Sequence, residues 1–164
     1  MRVIGLDPGT LHAGYGVVEE ANGGYRYVAS GTINASGPDV AVRLVRIFEG
    51  LSLAIERYQP QEAAIETVFA GNNVKTAIVI GEARGVIMLA AARSGLPVAS
   101  YEPTLVKRAV TSNGKAPKEQ VERMVKILLN LQEMPPTDHE ADALAMAITH
   151  LRRREVADLV KRGR

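Results

Sequence analysis

The sequence predicts an α/β fold: a mixed five-stranded sheet, in which an antiparallel meander joins parallel strands, with helices on both faces. Three observations lead there. The first third alternates β-branched apolar runs with Gly- and Asn-containing turns. From Pro38 onward, helical periods alternate with short apolar runs of the kind that lie in parallel sheets. The connections are short, and crossover handedness then favours one sheet covered on both sides.

Arg2–Asp7 reads as the first strand, its apolar run Val3-Ile4-Gly5-Leu6 ending on a carboxylate. Pro8-Gly9-Thr10 makes the turn, and Gly14–Glu20 returns antiparallel. Ala21-Asn22-Gly23-Gly24 is a hairpin signal, because Asn and Gly tolerate positive φ. Tyr25–Ile33 is the third strand. Pro38-Asp39 opens a helix with Asp39 as N-cap; Val40, Leu44, Ile47, Leu51 and Ile55 give its buried stripe, and Gln59-Pro60 ends it. Ala63-Ala64-Ile65-Glu66 is a buried strand that also ends on a carboxylate. Thr67–Asn73 is a loop carrying Phe69, either tucked beneath it or presented outward. Val74–Ser94 is a helix apolar almost all round, hence packed on more than one side. Its Ala77, Gly81 and Gly85 recur at i, i+4, i+8, a stripe that suits a subunit interface or close packing on the protein's own sheet. Val98–Tyr101 is the fifth strand. Short helices follow at Pro103–Val110 and Lys118–Leu129. The last helix starts at Thr137-Asp138 and is expected to end near Arg152, after which a basic tail is expected to be mobile.

The chain has 164 residues, 17.6 kDa and 46% hydrophobic residues, enough for one domain, placed at 1–151, with the tail at 152–164. It has no cysteine, which excludes disulfides, thiolate metal sites and cysteine nucleophiles. Met1-Arg2-Val3 begins no signal peptide and the longest apolar run, Val86 to Ala92, cannot span a bilayer, so a cytoplasmic protein with no membrane partner is expected. The net charge of +2 is uneven: residues 151–164 carry six Lys or Arg against two acids, leaving 1–150 slightly acidic. Global charge is therefore no argument for nucleic acid. A local basic stretch, with Lys107, Arg108, Lys115, Lys118, Arg123 and Lys126, is either a phosphate-binding patch or a solvated helix face.

Asp7 is a carboxylate held at a strand end with no Lys or Arg between Arg2 and Arg26 to pair with it. It reads as a metal or phosphate site, the alternative being an Asx-type turn. Glu66 ends the fourth strand in the same way. His139 and Asp142 stand at i, i+3 on one face of the last helix and so can be brought over the strand ends together; the alternative leaves His139 simply exposed. Ends of adjacent strands lie about 4.8 Å apart. Three carboxylates and an imidazole converging there resist ionising together unless a cation neutralises them. Oxygen donors without thiolate suit Mg²⁺ or Mn²⁺, and two such ions form a clamp for phosphodiester hydrolysis.

Gly5-Leu6-Asp7-Pro8-Gly9, Gly14-Tyr15-Gly16-Val17, Ala64-Ile65-Glu66-Thr67-Val68-Phe69, Gly81-Glu82-Ala83-Arg84-Gly85, Val106-Lys107 and the run from Ala141 to His150 occur in this order and at these spacings. Together they resemble the ribonuclease-H-like nucleases and, more closely, the RuvC family of bacterial Holliday-junction resolvases, over nearly all of residues 1–151. The resemblance implies a ribonuclease-H-like fold. It implies an endonuclease of recombination and repair that resolves four-way junctions by paired symmetric nicks, leaving 5′-phosphate and 3′-hydroxyl ends. Asp7, Glu66, His139 and Asp142 match the catalytic, metal-binding positions for two Mg²⁺ ions, with Mn²⁺ as a possible substitute; many relatives carry Asp where this chain has His139. Phe69 matches an aromatic that stacks on bases opened at the crossover. Lys107 and Lys118 match junction-facing basic positions, and Lys115 lies in the same basic stretch. Homodimerisation through the long second helix and coupling to the RuvA–RuvB branch-migration complex are likewise implied.

Three rival readings exist. Asp7-Pro8-Gly9-Thr10 with Gly14-Tyr15-Gly16 is similar to the phosphate loop of actin-like kinases and ATPases, but those use two such domains and this chain has one. A non-catalytic junction-binding module would have no need of Asp7, Glu66 and Asp142. A ribonuclease-H-like enzyme acting on RNA would be exposed by substrate competition.

Overall fold

The computed structural model describes residues 1–67 and 74–163. In chain order it contains β1 (Arg2–Asp7), β2 (His12–Ala21), β3 (Gly24–Asn34), α1 (Val40–Tyr58), β4 (Glu62–Glu66), α2 (Val74–Arg93), β5 (Val98–Tyr101), α3 (Pro103–Thr111), α4 (Lys118–Leu128) and α5 (Asp138–Arg162). The sheet order is β3-β2-β1-β4-β5, with β1–β2 and β2–β3 antiparallel and β1–β4 and β4–β5 parallel. This is the expected mixed sheet. The β2–β3 hairpin turns through Asn22 (φ 44°) and Gly23 (φ 78°), the positive-φ pair that its sequence offers. Phe69 lies among residues 68–73, outside the described residues, and so do both readings of it.

Alternation along the strands divides the core in two. Ile4, Leu6, Val17, Ala63 and Ile65 face α1 and α2, with Ile47, Leu51, Ile55, Ala83 and Ile87. Val3, Val18 and Ala64 face α3, α4 and α5, with Val110, Val121, Val125, Leu144 and Ile148. Both faces of β1 and β4 are thus buried, which is why these strands read as unbroken apolar runs. Each fully buried Leu or Ile contributes roughly 1.5–3 kcal/mol. Helix α1 starts where expected, its Asp39 carboxylate accepting the Val42 N–H at 2.9 Å.

Helix α5 lies directly on β1 and β2 because neither surface has bulk. A Cβ on Gly5 would stand 1.9 Å from the Ala143 carbonyl oxygen, one on Gly14 2.2 Å from the His139 carbonyl, and one on Gly16 2.7 Å from the Leu144 nitrogen. The glycines provide the seam, and the helix answers with Ala143 and Ala147.

Two expectations about helices change. Helix α5 does not stop near Arg152 but continues to Arg162, so most of the stretch read as a tail is helix. No breaker intervenes before Gly163, and Val156, Leu159 and Val160 continue a helical spacing into solvent. Helix α2 is packed on one side only. Ala83, Ile87, Ala90 and Ala91 are buried, whereas Ile78 (56% exposed) and Leu89 (53%) are open, and a Cβ on Gly81 or Gly85 would meet nothing within 4 Å. Packing on the protein's own sheet is therefore not what Gly81 and Gly85 serve. Among the described residues, no helix is long and apolar enough to cross a membrane.

Candidate active site

The same alternation that builds the core places the acids. Asp7 is two residues beyond Gly5, and Glu66 two beyond Ala64, so both side chains leave the strand ends on the α5 face. The glycine seam holds the N-terminal turns of α5 over them, bringing in His139 and Asp142. That turn is anchored by its N-cap, Thr137, and by Glu140 three residues on. The Thr137 hydroxyl accepts the Glu140 N–H at 3.2 Å, while the buried Glu140 carboxylate accepts from Ser30 Oγ at 2.6 Å and Thr32 Oγ1 at 3.4 Å. Helix α5 is thereby tied across β2 to β3.

Asp7, Glu66 and Asp142 line one cleft of about 220 Å³ with Lys107 and Lys118, above an apolar floor that includes Val106, Val121 and Met146. His139 stands at its edge, its Nδ1–H donating to Asp7 Oδ2 at 2.6 Å. Lys115 is exposed in the loop before α4 and does not line the cleft. His12 adds a second ring near the edge, with its centroid 5.9 Å from that of His139. Lys118 reaches from α4 into the acids, 3.0 Å from Asp138 Oδ2 and 3.3 Å from Asp142 Oδ2. This bridge joins two helices and leaves no local pattern in the sequence.

The carboxylates bear the expected strain of shared charge. Burial, then Asp7 and Asp142, push Glu66 up to about 7, with Lys107 opposing. Asp142 is raised too, by partial burial first, against the opposing Lys118 and with Asp7 adding to it. Burial pulls Lys118 down, but its bonds to Asp138 and Asp142 outweigh this and hold the ammonium above its usual value. Hard oxygen donors that resist ionising together, with a lysine ammonium already drawn to one of them, fit a divalent cation such as Mg²⁺ or Mn²⁺. Among the described residues no three donors are already drawn into one tight group, since Asp7 is turned to His139 and Asp142 to Lys118.

A pH dependence follows for the metal-free protein. In the unfolded chain Glu66 ionises near 4.5, but in the folded chain near 7. Between these values the folded state binds the extra proton, so its stability falls as pH rises through that window. Urea unfolding in EDTA is expected to show Glu66→Gln more stable than the parent at pH 8, by about 1–2 kcal/mol after allowing for partial exposure, and equal to it at pH 4. Equal stability at both pH values would place Glu66 in a water-like setting.

Comparison with known proteins now bears on this arrangement. Residues 3–150 match the family model described as RuvC, crossover junction endodeoxyribonuclease. The chain belongs to the RuvC family. The RuvC of Moorella thermoacetica is 50% identical over 151 residues, covering 92% of this chain and 90% of that protein. The RuvC of Caldanaerobacter subterraneus subsp. tengcongensis is 46% identical over 165 residues and the whole of both chains. A solved structure of Thermus thermophilus RuvC in complex with Holliday junction substrate matches with a TM-score of 0.89 at 34% identity, covering 96% of each chain. The sheet and helices described above are accordingly the ribonuclease-H-like fold of RuvC proteins.

Proposed function

We propose that this chain is a Holliday-junction resolvase, a DNA endonuclease that cuts four-way junctions by paired symmetric nicks in recombination and repair. The observation that carries the reading is the cleft in which Asp7, Glu66 and Asp142 meet Lys107 and Lys118 in a chain of the RuvC family. Asp7, Glu66, Asp142 and His139 would hold two Mg²⁺ ions, or Mn²⁺ in their place. Such ions supply Lewis-acid activation of water and neutralise charge on the departing 3′ oxygen, leaving 5′-phosphate and 3′-hydroxyl ends.

The chain's own groups do the rest. Asp7 takes the His139 Nδ1–H, which leaves Nε2 as the ring nitrogen available to a metal or to the attacking water. Lys118 spends two N–H bonds on Asp138 and Asp142 and keeps a third for a phosphate oxygen. Lys107 in the cleft and Lys115 outside it extend the basic track, and Phe69 would stack on a base opened at the crossover. Lys118→Ala is expected to weaken junction binding and lower the slope of log affinity against log salt by about one. An unchanged slope would remove Lys118 from the DNA.

A four-way junction has approximate two-fold symmetry, which a two-fold dimer matches with two identical sites. The open face of α2, with Ile78, Gly81, Gly85 and Leu89, supports that homodimer. Gly81→Arg leaves the monomer's packing untouched, so it is expected to sediment as a folded monomer and to lose paired nicking. A dimer that persists would move the interface elsewhere. The nuclease body is 1–151, with the basic stretch 152–164 appended; a cytoplasmic setting and coupling to RuvA–RuvB belong to the same reading.

The deciding test is Mg²⁺-dependent cleavage of a mobile four-way junction beside a linear duplex of the same sequence. Paired nicks confined to the junction carry the reading. Binding without cleavage would favour a junction-binding module.

A further inference from the structure

Glu66 sits where the sheet stops holding its strand. The β1–β4 register ends at Leu6 opposite Ile65, so Glu66 has no partner on that side. On the other side Thr67 N–H reaches the Tyr101 carbonyl at 2.9 Å. What remains is the Glu66 carbonyl, and it is taken by a side chain from α2. Arg84 Nε–H donates to it at 3.0 Å, while Nη2–H donates to Ser100 Oγ at 2.8 Å and Nη1 lies 3.1 Å from Met88 Sδ. Ser100 pairs with Ile65 and shares its face, the α2 face of the sheet. The guanidinium therefore clamps the ends of β4 and β5 from behind, while the Glu66 carboxylate leaves from the front into the cleft.

We infer that Arg84 is a positioning residue for the nuclease reaction: it touches neither metal nor DNA, and it fixes the peptide from which the Glu66 carboxylate is aimed. The planar fork is what the task needs, because two oxygens on two strands must be held at a set angle. The inference rests on the nuclease reading above. The clamp also ties the active site to α2, whose opposite side is the open apolar face.

The test compares Arg84→Met, Arg84→Lys and Ser100→Ala with the parent. Arg84→Met keeps the aliphatic packing and loses the fork. Its single-turnover junction cleavage is expected to fall about 10- to 100-fold, as small misplacements of reacting groups do. Mn²⁺ affinity, titrated calorimetrically without DNA, should weaken severalfold, while junction affinity in Ca²⁺ and the sedimenting mass stay within error. Arg84→Lys keeps the charge and should fare nearly as badly, and Ser100→Ala, losing one arm, should fall between. Cleavage and Mn²⁺ affinity both unchanged would overturn the inference. So would full activity in Arg84→Lys, or a cleavage loss that merely tracks monomerisation. A parent protein that does not cleave refutes the nuclease reading instead, and the Mn²⁺ titration, which needs no cleavage, keeps the two failures apart.

Discussion

Asp7→Asn is expected to lower Mg²⁺-dependent junction cleavage on the order of 10³-fold and to leave junction binding intact or slightly tighter. The substitution is nearly isosteric. An Asn carbonyl oxygen can still accept the His139 Nδ1–H that Asp7 Oδ2 takes at 2.6 Å, so the tautomer and the α5–β1 contact survive. What is lost is the negative charge at the end of β1, in the cleft that Asp7 shares with Glu66 and Asp142. Removing it also eases the repulsion that Asp7 exerts on Glu66 and Asp142. A phosphate would then enter a less negative cleft, hence the tighter binding. The measurement is a cleavage rate paired with gel-shift affinity in Ca²⁺. Cleavage within tenfold of the parent would remove Asp7 from the metal site.

Gly5→Ala is expected to be the most damaging glycine-to-alanine change among the described residues. The added Cβ would stand 1.9 Å from the Ala143 carbonyl oxygen and 2.6 Å from the Ala147 nitrogen. Both are helix backbone, so no rotamer change relieves the clash and α5 must lift from the sheet. Overpacking of this kind costs about 3 kcal/mol or more, a large part of the 5–15 kcal/mol that stabilises a typical domain. Gly81→Ala is the contrast within the isolated chain, compared at concentrations too low for association: its Cβ meets no atom of its own chain, and better helix propensity is worth up to about 1 kcal/mol. Denaturation midpoints of the two variants should move in opposite directions. If Gly5→Ala unfolds like the parent, the seam is not as tight as described. Because His139 and Asp142 ride on the lifted helix, cleavage by Gly5→Ala should fall even under conditions where it remains folded.

Much of this was readable before any coordinates. Asp7 and Glu66 announce themselves as charges ending apolar runs, and period-two alternation alone then puts both on one face. The glycines of Gly14-Tyr15-Gly16 and the alanines of α5 were visible as small residues; that they meet each other needed the structure. The contacts that escaped the sequence are those between elements with no shared local pattern: Lys118 of α4 with Asp138 and Asp142 of α5, Glu140 with Ser30 and Thr32, and Arg84 with the Glu66 carbonyl. Only the Glu140 arrangement left a signal, in its Thr-x-x-Glu spacing. The end of α5 was misjudged because a run of arginines looks like a solvated tail, whereas charge by itself does not end a helix and Gly163 does.

Helix α5 also sets which kinds of genetic change the chain can absorb. Between His139 and Ala147 one stretch of helix must satisfy two registers at once, side chains over the carboxylates and alanines over the glycine seam. Deleting or inserting one residue there would turn everything beyond it by about 100° and slide it 1.5 Å, so one register is always lost. Substitutions can be compensated one contact at a time, but a shift of frame along the rod cannot. Past Leu151 the helix residues are exposed, with Arg152 and Arg154 still reaching back to the Ala109 carbonyl and to Glu62, and from Val156 on the helix projects into solvent. Length variation, and any peptide grafted for labelling or immobilisation, belongs in that last segment, where it can be added or removed without turning the site.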